Sequence, residues 1–314
     1  VLRPRRGESG LRHVATPRTR SYGPAESGLH QGLPSSRAET SPMQNGSGMT
    51  SKVLGAEGLL KAVSRLTARF PAVPPFGRAA VLAGRTLSPY ARAPIVKNVY
   101  GARMELDPRE YVDRALIFTP QWWDRNELAF LSDNMRPGDH FVDVGANIGA
   151  YSFWAASKVG PTGRVTAIEA NPNTAAVLSR NIEMNDYDYI TSLSCGVSDA
   201  IEELDLMLNT SGNRGADSFF QQADQGVNTS VRVTCRPLND LLEAPADVLK
   251  LDIEGYEGRV LHSYLNEVEE RPRALLVENI EARRERDAIR ICLEAGYTVA
   301  GEWGLNTGLV VQQH

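Results

Sequence analysis

The stretch Phe141 to Gly149, FVDVGANIG, constrains this chain more than any other feature, because an apolar strand ends there in a carboxylate and turns through small residues into a predicted helix. Such a turn builds a ligand site at the carboxyl edge of a parallel sheet, where glycines let the backbone come close to a bound molecule. The spacing narrows the ligand. A dinucleotide fingerprint needs G-x-G-x-x-G, whose last two glycines fit a pyrophosphate against the helix start. Here Gly145, Asn147 and Gly149 follow Asp143 as G-x-N-x-G, so the second dinucleotide glycine is missing. This cradle suits a small zwitterion better than a diphosphate.

The pattern continues downstream. The run Val165 to Ile168 ends in Glu169, 26 residues past Asp143, followed by Ala-Asn-Pro. In a strand-helix-strand unit that places a carboxylate at the tip of the second strand, where it can accept both hydroxyls of a ribose. Then come RNIEMN (180–185), GVSD (196–199), KLDIEGYE (250–257) and LLVEN (275–279). Together these motifs, spread from about Val96 to the C-terminus, resemble the FkbM family of S-adenosylmethionine-dependent methyltransferases. The resemblance implies an α/β fold with a doubly wound, Rossmann-like sheet of the class I methyltransferase type, seven strands expected, and S-adenosylmethionine as cofactor. It also implies O-methylation of a hydroxyl on a polyketide or other secondary metabolite, a saccharide or a glycolipid.

Composition sets the outer limits. A chain of 314 residues with 42% hydrophobic content holds one large α/β domain with extensions, and no apolar run reaches the ~18 residues of a membrane span. Cys195, Cys235 and Cys292 lie far apart with no C-x-x-C pair, which suggests neither a zinc cluster nor a disulfide framework and makes a reducing cytoplasm the simplest setting. Residues 1–52 carry eight Lys or Arg against three Glu, so the rest of the chain is acidic enough to bring the total to −4. An acidic catalytic body argues against nucleic acid as substrate. Residues 1–52, rich in Arg, Ser, Gly and Pro and without periodicity, read as a disordered basic leader. Met43 and Met49 leave open that translation begins later.

Residues 53–137 read as a helical and hairpin extension, and 138–314 as the cofactor-binding methyltransferase domain. From Leu54, the residues Ala56, Leu59, Leu60, Val63, Leu66 and Phe70 share one helical face while Lys61, Arg65 and Arg69 form a basic stripe, up to a stop at Pro71, Pro74 and Pro75. The helix either packs on the catalytic domain or lies on a membrane surface to reach a lipid-borne acceptor. A hairpin is expected over Val96–Leu106 and a helix over Gln121–Met135, with Trp122 and Trp123 candidates to line the acceptor pocket. The core should run strand 140–144, helix 150–158, strand 164–169, helix 173–185 and strand 190–195. Extra strands at 203–207 and 231–236 should flank a mobile polar excursion, 209–229. Strand 248–252, helix 256–265, strand 274–278, helix 282–295 and a closing pair at 297–303 and 308–312 should complete the sheet.

Within that frame, the residues expected to bind the cofactor are Asp143, Gly145, Asn147, Gly149 and Glu169, with Ser198 and Asp199 placed for adenine, Asp199 accepting from its exocyclic amine. The methyl group should face the tips of the fourth and fifth strands. Asp252 and Glu278 are the expected catalytic carboxylates, since a buried carboxylate with a raised pKa serves best as base for a hydroxyl. Glu254 and Glu257 fit turn and capping roles, and His140 and His262 structural ones. Asp252, Glu278 and Asn279 could also imitate the oxygen set of a magnesium-dependent enzyme, but their spacing fixes no geometry and no metal is assigned. The rival classes are a nicotinamide enzyme on a similar fold, a scaffold protein that binds the cofactor without turnover, and an N- or C-methyltransferase.

Overall fold

Parallel strands buried on both faces need helices above and below, and a computed structural model of the protein has that arrangement for residues 47–67, 69, 74–209, 211–219, 229–279 and 287–312. The N-terminal part comprises α1 (Ser47–Thr67), α2 (Pro74–Leu87), the hairpin β1 (Ile95–Val99) and β2 (Ala102–Leu106), α3 (Tyr111–Phe118) and α4 (Arg125–Asn134). The core then alternates through β3 (His140–Val144), α5 (Ala150–Val159), β4 (Arg164–Glu169), α6 (Pro172–Glu183) and β5 (Ile190–Ser194). After β6 (Gly196–Ser198), β7 (Glu202–Met207), β8 (Ser230–Pro237) and α7 (Leu238–Leu241) come β9 (Val248–Leu251), α8 (Glu257–Glu267), β10 (Ala274–Glu278), α9 (Ala288–Glu294), β11 (Tyr297–Trp303) and β12 (Asn306–Val311).

Seven of these strands form one sheet in the order β11-β12-β10-β9-β3-β4-β5, parallel except for β12, which runs antiparallel to both β10 and β11. Every position of β3 and β9 is buried. Alternate residues feed two cores: Phe141, Val248 and Leu276 pack with Phe153 and Ala155 of α5, while Val142, Val144, Leu249 and Val277 pack with Val260, Leu261 and Tyr264 of α8. Each such side chain contributes roughly 1.5–3 kcal/mol through burial. Chain order reverses between β3 and β9, and the crevice outside the strand ends at such a reversal is where this kind of sheet binds ligands.

The register explains a feature that no motif announces. Asp143 on β3 lies directly beside Lys250 on β9, and both side chains point to the α5 face, where Lys250 is 3% exposed and Asp143 not at all. Two buried ions on adjacent strands have to satisfy each other, and they do so at 3.3 Å. His140, at the other end of β3, is a structural latch whose ring nitrogens meet the Pro245 carbonyl oxygen and Thr166 Oγ1 at 3.0 and 2.9 Å.

The structure departs from the sequence reading mainly outside the sheet. Helix α1 starts at Ser47, inside the stretch expected to be leader. Leu60, Ser64 and Thr67 face inward on α1, which leaves Leu59 and Leu66, expected on the buried face, exposed. Helices α2 and α3 were not expected; α2 buries glycine and alanine rather than large apolar residues, and α3 is only eight residues long. The helix expected over Gln121–Met135 begins only at Arg125, since Asp124 takes a left-handed conformation with φ 42°. Strands β6, β7 and β8 form a separate three-stranded sheet, β8 running parallel to β6 and antiparallel to β7. Within the polar excursion, residues 211–219 fold over the sheet edge through a 3₁₀ turn at Arg214–Ala216, while 220–228 lie outside the described residues, as do 1–46, the stop at Pro71 and the expected helix start at 282–286.

Candidate active site

A cavity of about 520 Å³ opens at the reversal point, lined by the β3–α5 loop, the tips of β4, β9 and β10, and segments 111–127 and 213–219. Its volume is that of a pocket for a nucleotide-sized ligand. Gly145 shapes the floor. At φ 78°, it is packed so closely beneath β9 that a Cβ would lie 1.8 Å from the Asp252 carbonyl oxygen. The glycine is therefore required first by the protein's own backbone.

The loop amides are engaged internally. Gly145 and Ala146 both donate to the Ile168 carbonyl at 2.9 Å, Asn147 donates to Glu169 Oε2 at 2.9 Å, and Gly149 donates to the Ala146 carbonyl at 2.9 Å. Asn147 sits in the left-handed region at φ 50°, lines the cavity, and leaves its buried Oδ1 unpartnered. Gly149 opens α5 at φ 96° against Leu178 and Phe153 and does not reach the cavity.

Glu169 lines the cavity from the β4 tip. Its Oε1 accepts from the Asn171 amide at 2.8 Å while Oε2 accepts from Asn147, so the carboxylate is oriented before any ligand arrives. Burial pushes its pKa up to about 7, against the two amides that favour the charged form. Asp143 does not line the cavity: Oδ2 accepts from Ser152 at 2.6 Å and Oδ1 faces Lys250, so it reaches a ligand only through the lysine.

Lys250 organises the β9 side of the cavity. Its ammonium lies 3.3 Å from Asp143 Oδ1, Asp252 Oδ2 and the Gly145 carbonyl oxygen, and 5.0 Å from the Tyr151 ring centroid. Burial works to lower its pKa, but the Asp252 and Asp143 carboxylates overcome this and hold it above the usual lysine value. Asp252 stands just past β9 and is 35% exposed, and Glu278 lines the cavity from the β10 tip. Burial, then the charges of Asp252, Glu254 and Glu257, push the Glu278 pKa up to about 10. A carboxyl raised this far favours its protonated form, in which Glu278 can donate a hydrogen bond beside Asp252. Glu257 accepts from the Ile253 and Gly255 amides at 2.8 and 2.9 Å and so holds the turn that carries Glu254.

Ser198 and Asp199 are turned away from the cavity. Ser198 is fully buried and donates to Glu202 at 2.5 Å, and Asp199 accepts from Arg259 at 2.5 Å, because β6 belongs to the second sheet. Cys195, Val197, Leu206 and Phe219 form that wall instead.

Several lining residues escaped the sequence reading. Asp124, between α3 and α4, accepts from Tyr151 at 2.9 Å, and its pKa is raised to about 6, chiefly by burial. Trp123 packs edge-on against Tyr151 with ring centroids 4.8 Å apart, whereas Trp122 points away from this cavity. Arg214 lines the cavity, tied to the buried Asp113 at 3.1 Å and through its backbone amide to Glu110 at 3.0 Å. Asp217 accepts from Asn171 at 2.6 Å, so the folded part of the excursion is latched to the start of α6. Trp123 was expected at the pocket, and Lys250 was visible in the sequence as a cation inside an otherwise apolar four-residue strand. Among the described residues, no group of three or more His, Cys, Asp or Glu side chains is arranged to hold a metal ion.

The model of the methyltransferase FkbM domain matches residues 143–298. The methyltransferase sdnD of Sordaria araneosa is 30% identical over 209 residues, covering 57% of this chain and 78% of that protein. Among solved structures, the FkbM methyltransferase of Methylobacillus flagellatus is 18% identical, covers 74% of this chain and 58% of its own, and gives a TM-score of 0.39. Aeropyrum pernix fibrillarin, solved with natively bound S-adenosyl-L-methionine, is 13% identical over 59% of this chain and 73% of its own, with a TM-score of 0.36. The chain belongs to the FkbM family of methyltransferases.

Proposed function

We propose that the protein is an S-adenosylmethionine-dependent methyltransferase acting on a hydroxyl of a small molecule, saccharide or glycolipid. One observation carries the cofactor reading: an oriented carboxylate, Glu169, enters the cavity beside a glycine loop whose amides at 145, 146, 147 and 149 are already bonded within the protein. Such a loop has few donors left for a pyrophosphate, while Glu169 can accept ribose hydroxyls and the unpartnered Asn147 Oδ1 can accept from an ammonium. These donors and acceptors, and the volume around them, fit the cofactor. When bound, S-adenosylmethionine supplies a methyl group on a sulfonium, open to in-line displacement.

The chain's own residues position the acceptor and move its proton. An alcohol has a pKa near ~16, so its proton must leave as the new bond forms. Asp252, 3.3 Å from Lys250, is placed to take that proton, and Glu278, whose pKa burial pushes up to about 10, is placed to donate a hydrogen bond to Asp252 or to the acceptor oxygen. Trp123, Tyr151 and Asp124 supply an aromatic and polar wall for the acceptor. Positioning by such a wall accounts for most catalysis in a displacement of this kind.

Binding and thermal unfolding test the cofactor. S-adenosylhomocysteine at a hundred times its Kd should stabilise the protein by about 2.7 kcal/mol, and nicotinamide dinucleotides should not. Glu169→Ala should weaken binding about 10- to 100-fold. Stabilisation by the dinucleotide, or unchanged affinity in a folded Glu169→Ala protein, would remove the reading. A panel of hydroxylated acceptors then tests turnover: binding without any methylated product would favour a scaffold role.

A further inference from the structure

The extension ahead of the catalytic sheet has an unusual surface. Residues 47–99 carry eight Lys or Arg and a single Glu, in a chain whose total charge is −4. Among the described residues, twelve large apolar side chains are exposed, and seven of them, Leu59, Leu66, Phe76, Val81, Leu82, Tyr90 and Val96, fall in this sixth of the chain. Scattered exposed apolar residues are ordinary, but this concentration together with one sign of charge is not.

Helix α2 is packed inside out. Its inward face is Gly77, Ala80 and Gly84, which lets the helix lie directly on Trp122 and Phe118: a Cβ at Gly77 would meet the Trp122 ring at 3.1 Å, and one at Gly84 the Phe118 ring at 3.0 Å. The large residues point outward. Arg78, Val81, Leu82 and Arg85, spaced i, i+3, i+4 and i+7, form one stripe in which Val81 is 45% and Leu82 66% exposed. With Thr119 and Trp122 they line an apolar groove of about 430 Å³. The next two residues, Trp123 and Asp124, line the catalytic cavity, so a single turn forms a wall of both.

We infer that the α2 stripe docks the protein onto an anionic lipid surface, Val81 and Leu82 entering the interface and Arg78 and Arg85 meeting lipid phosphates. Exposed apolar side chains flanked by arginines match the boundary between acyl chains and headgroups, and the positive extension complements anionic lipid while the acidic body does not. The sequence offered such a contact on α1 at 54–70; here it is centred on α2. Docking would bring an acceptor carried in the membrane up to the Trp122–Asp124 turn, a consequence that rests on the lipid-borne form of the acceptor proposed above.

Vesicle flotation with the full chain tests this without any acceptor. Vesicles of phosphatidylcholine with phosphatidylglycerol should bind the protein, and phosphatidylcholine alone should bind it far less. Arg78→Ala with Arg85→Ala should weaken anionic-vesicle binding about 30-fold at low salt, and Val81→Ser with Leu82→Ser should weaken the part that survives high salt. Unchanged S-adenosylhomocysteine affinity in these exposed variants would show that they are folded and would separate this test from that of the cofactor. Absence of vesicle binding by the wild type, or binding insensitive to both pairs, would overturn the inference, as would retention by an acidic protein surface with no retention by vesicles.

Discussion

Glu169 shows how a motif residue acquires its chemistry from its surroundings. Its position at a strand tip was legible in the sequence, but its pKa near 7 arises from burial against two backbone amides. Only the carboxylate accepts from both ribose hydroxyls, so S-adenosylhomocysteine affinity should rise as pH increases through 7 and flatten above it. Calorimetry from pH 6 to 8.5 should find that rise in the wild type and lose it in Glu169→Gln. Asp252 and Glu278 should respond unequally. Asp252→Asn removes the carboxylate and should lower turnover by about 10² to 10⁴. Glu278→Gln retains a donor and should cost far less, and both should largely spare cofactor binding in single-turnover assays. Turnover that survives a chelator in the wild type, followed by loss in Asp252→Asn, would fit a carboxylate base rather than a metal site.

At the scale of elements, the glycine loop and the end of β9 form one unit. Gly145→Ala would set a methyl group against the Asp252 carbonyl oxygen at a backbone angle that alanine rarely adopts. The variant should therefore lose cofactor affinity and stability together, measured by calorimetry and denaturant unfolding; a stable Gly145→Ala protein with normal affinity would contradict the packing described. Lys250→Met should be more damaging than its single hydrogen bond implies. It leaves Asp143 buried without its counter-ion, a loss of about 3–5 kcal/mol when one partner of such a pair is removed.

For the whole molecule, the raised carboxyls set the pH dependence of stability. Asp113, Glu169 and Glu257 are pushed up to about 7 and Glu278 to about 10, so between the ordinary carboxylate range and these values the folded state binds protons that the unfolded chain releases. Stability is then lost as pH rises. His140, lowered mainly by burial, acts in the opposite sense, but it is one group against these four acids, with Asp124 and Asp217 also raised. The denaturation midpoint of the ligand-free protein should fall between pH 5 and pH 8, and a midpoint that climbs over that interval would show that the buried acids are ionised throughout.

Local chemistry made the sheet readable in advance. Apolar runs ending in Asp143, Glu169 and Glu278, each followed by turn residues, mark strands and their carboxyl ends because burial on both faces and a tight turn impose those residue types. What depends on register across strands left no such mark. Asp143 was legible as an acid but not as the counter-ion of Lys250, and Ser198 and Asp199 followed the expected strand yet turned away because β6 joined another sheet. Helix α2 hid for a related reason: its packing uses glycine and alanine against Trp122 and Phe118, so the large-residue periodicity that reveals a buried face lies on the exposed side. Periodicity reports which residues leave water, and only the tertiary structure determines which of them meet.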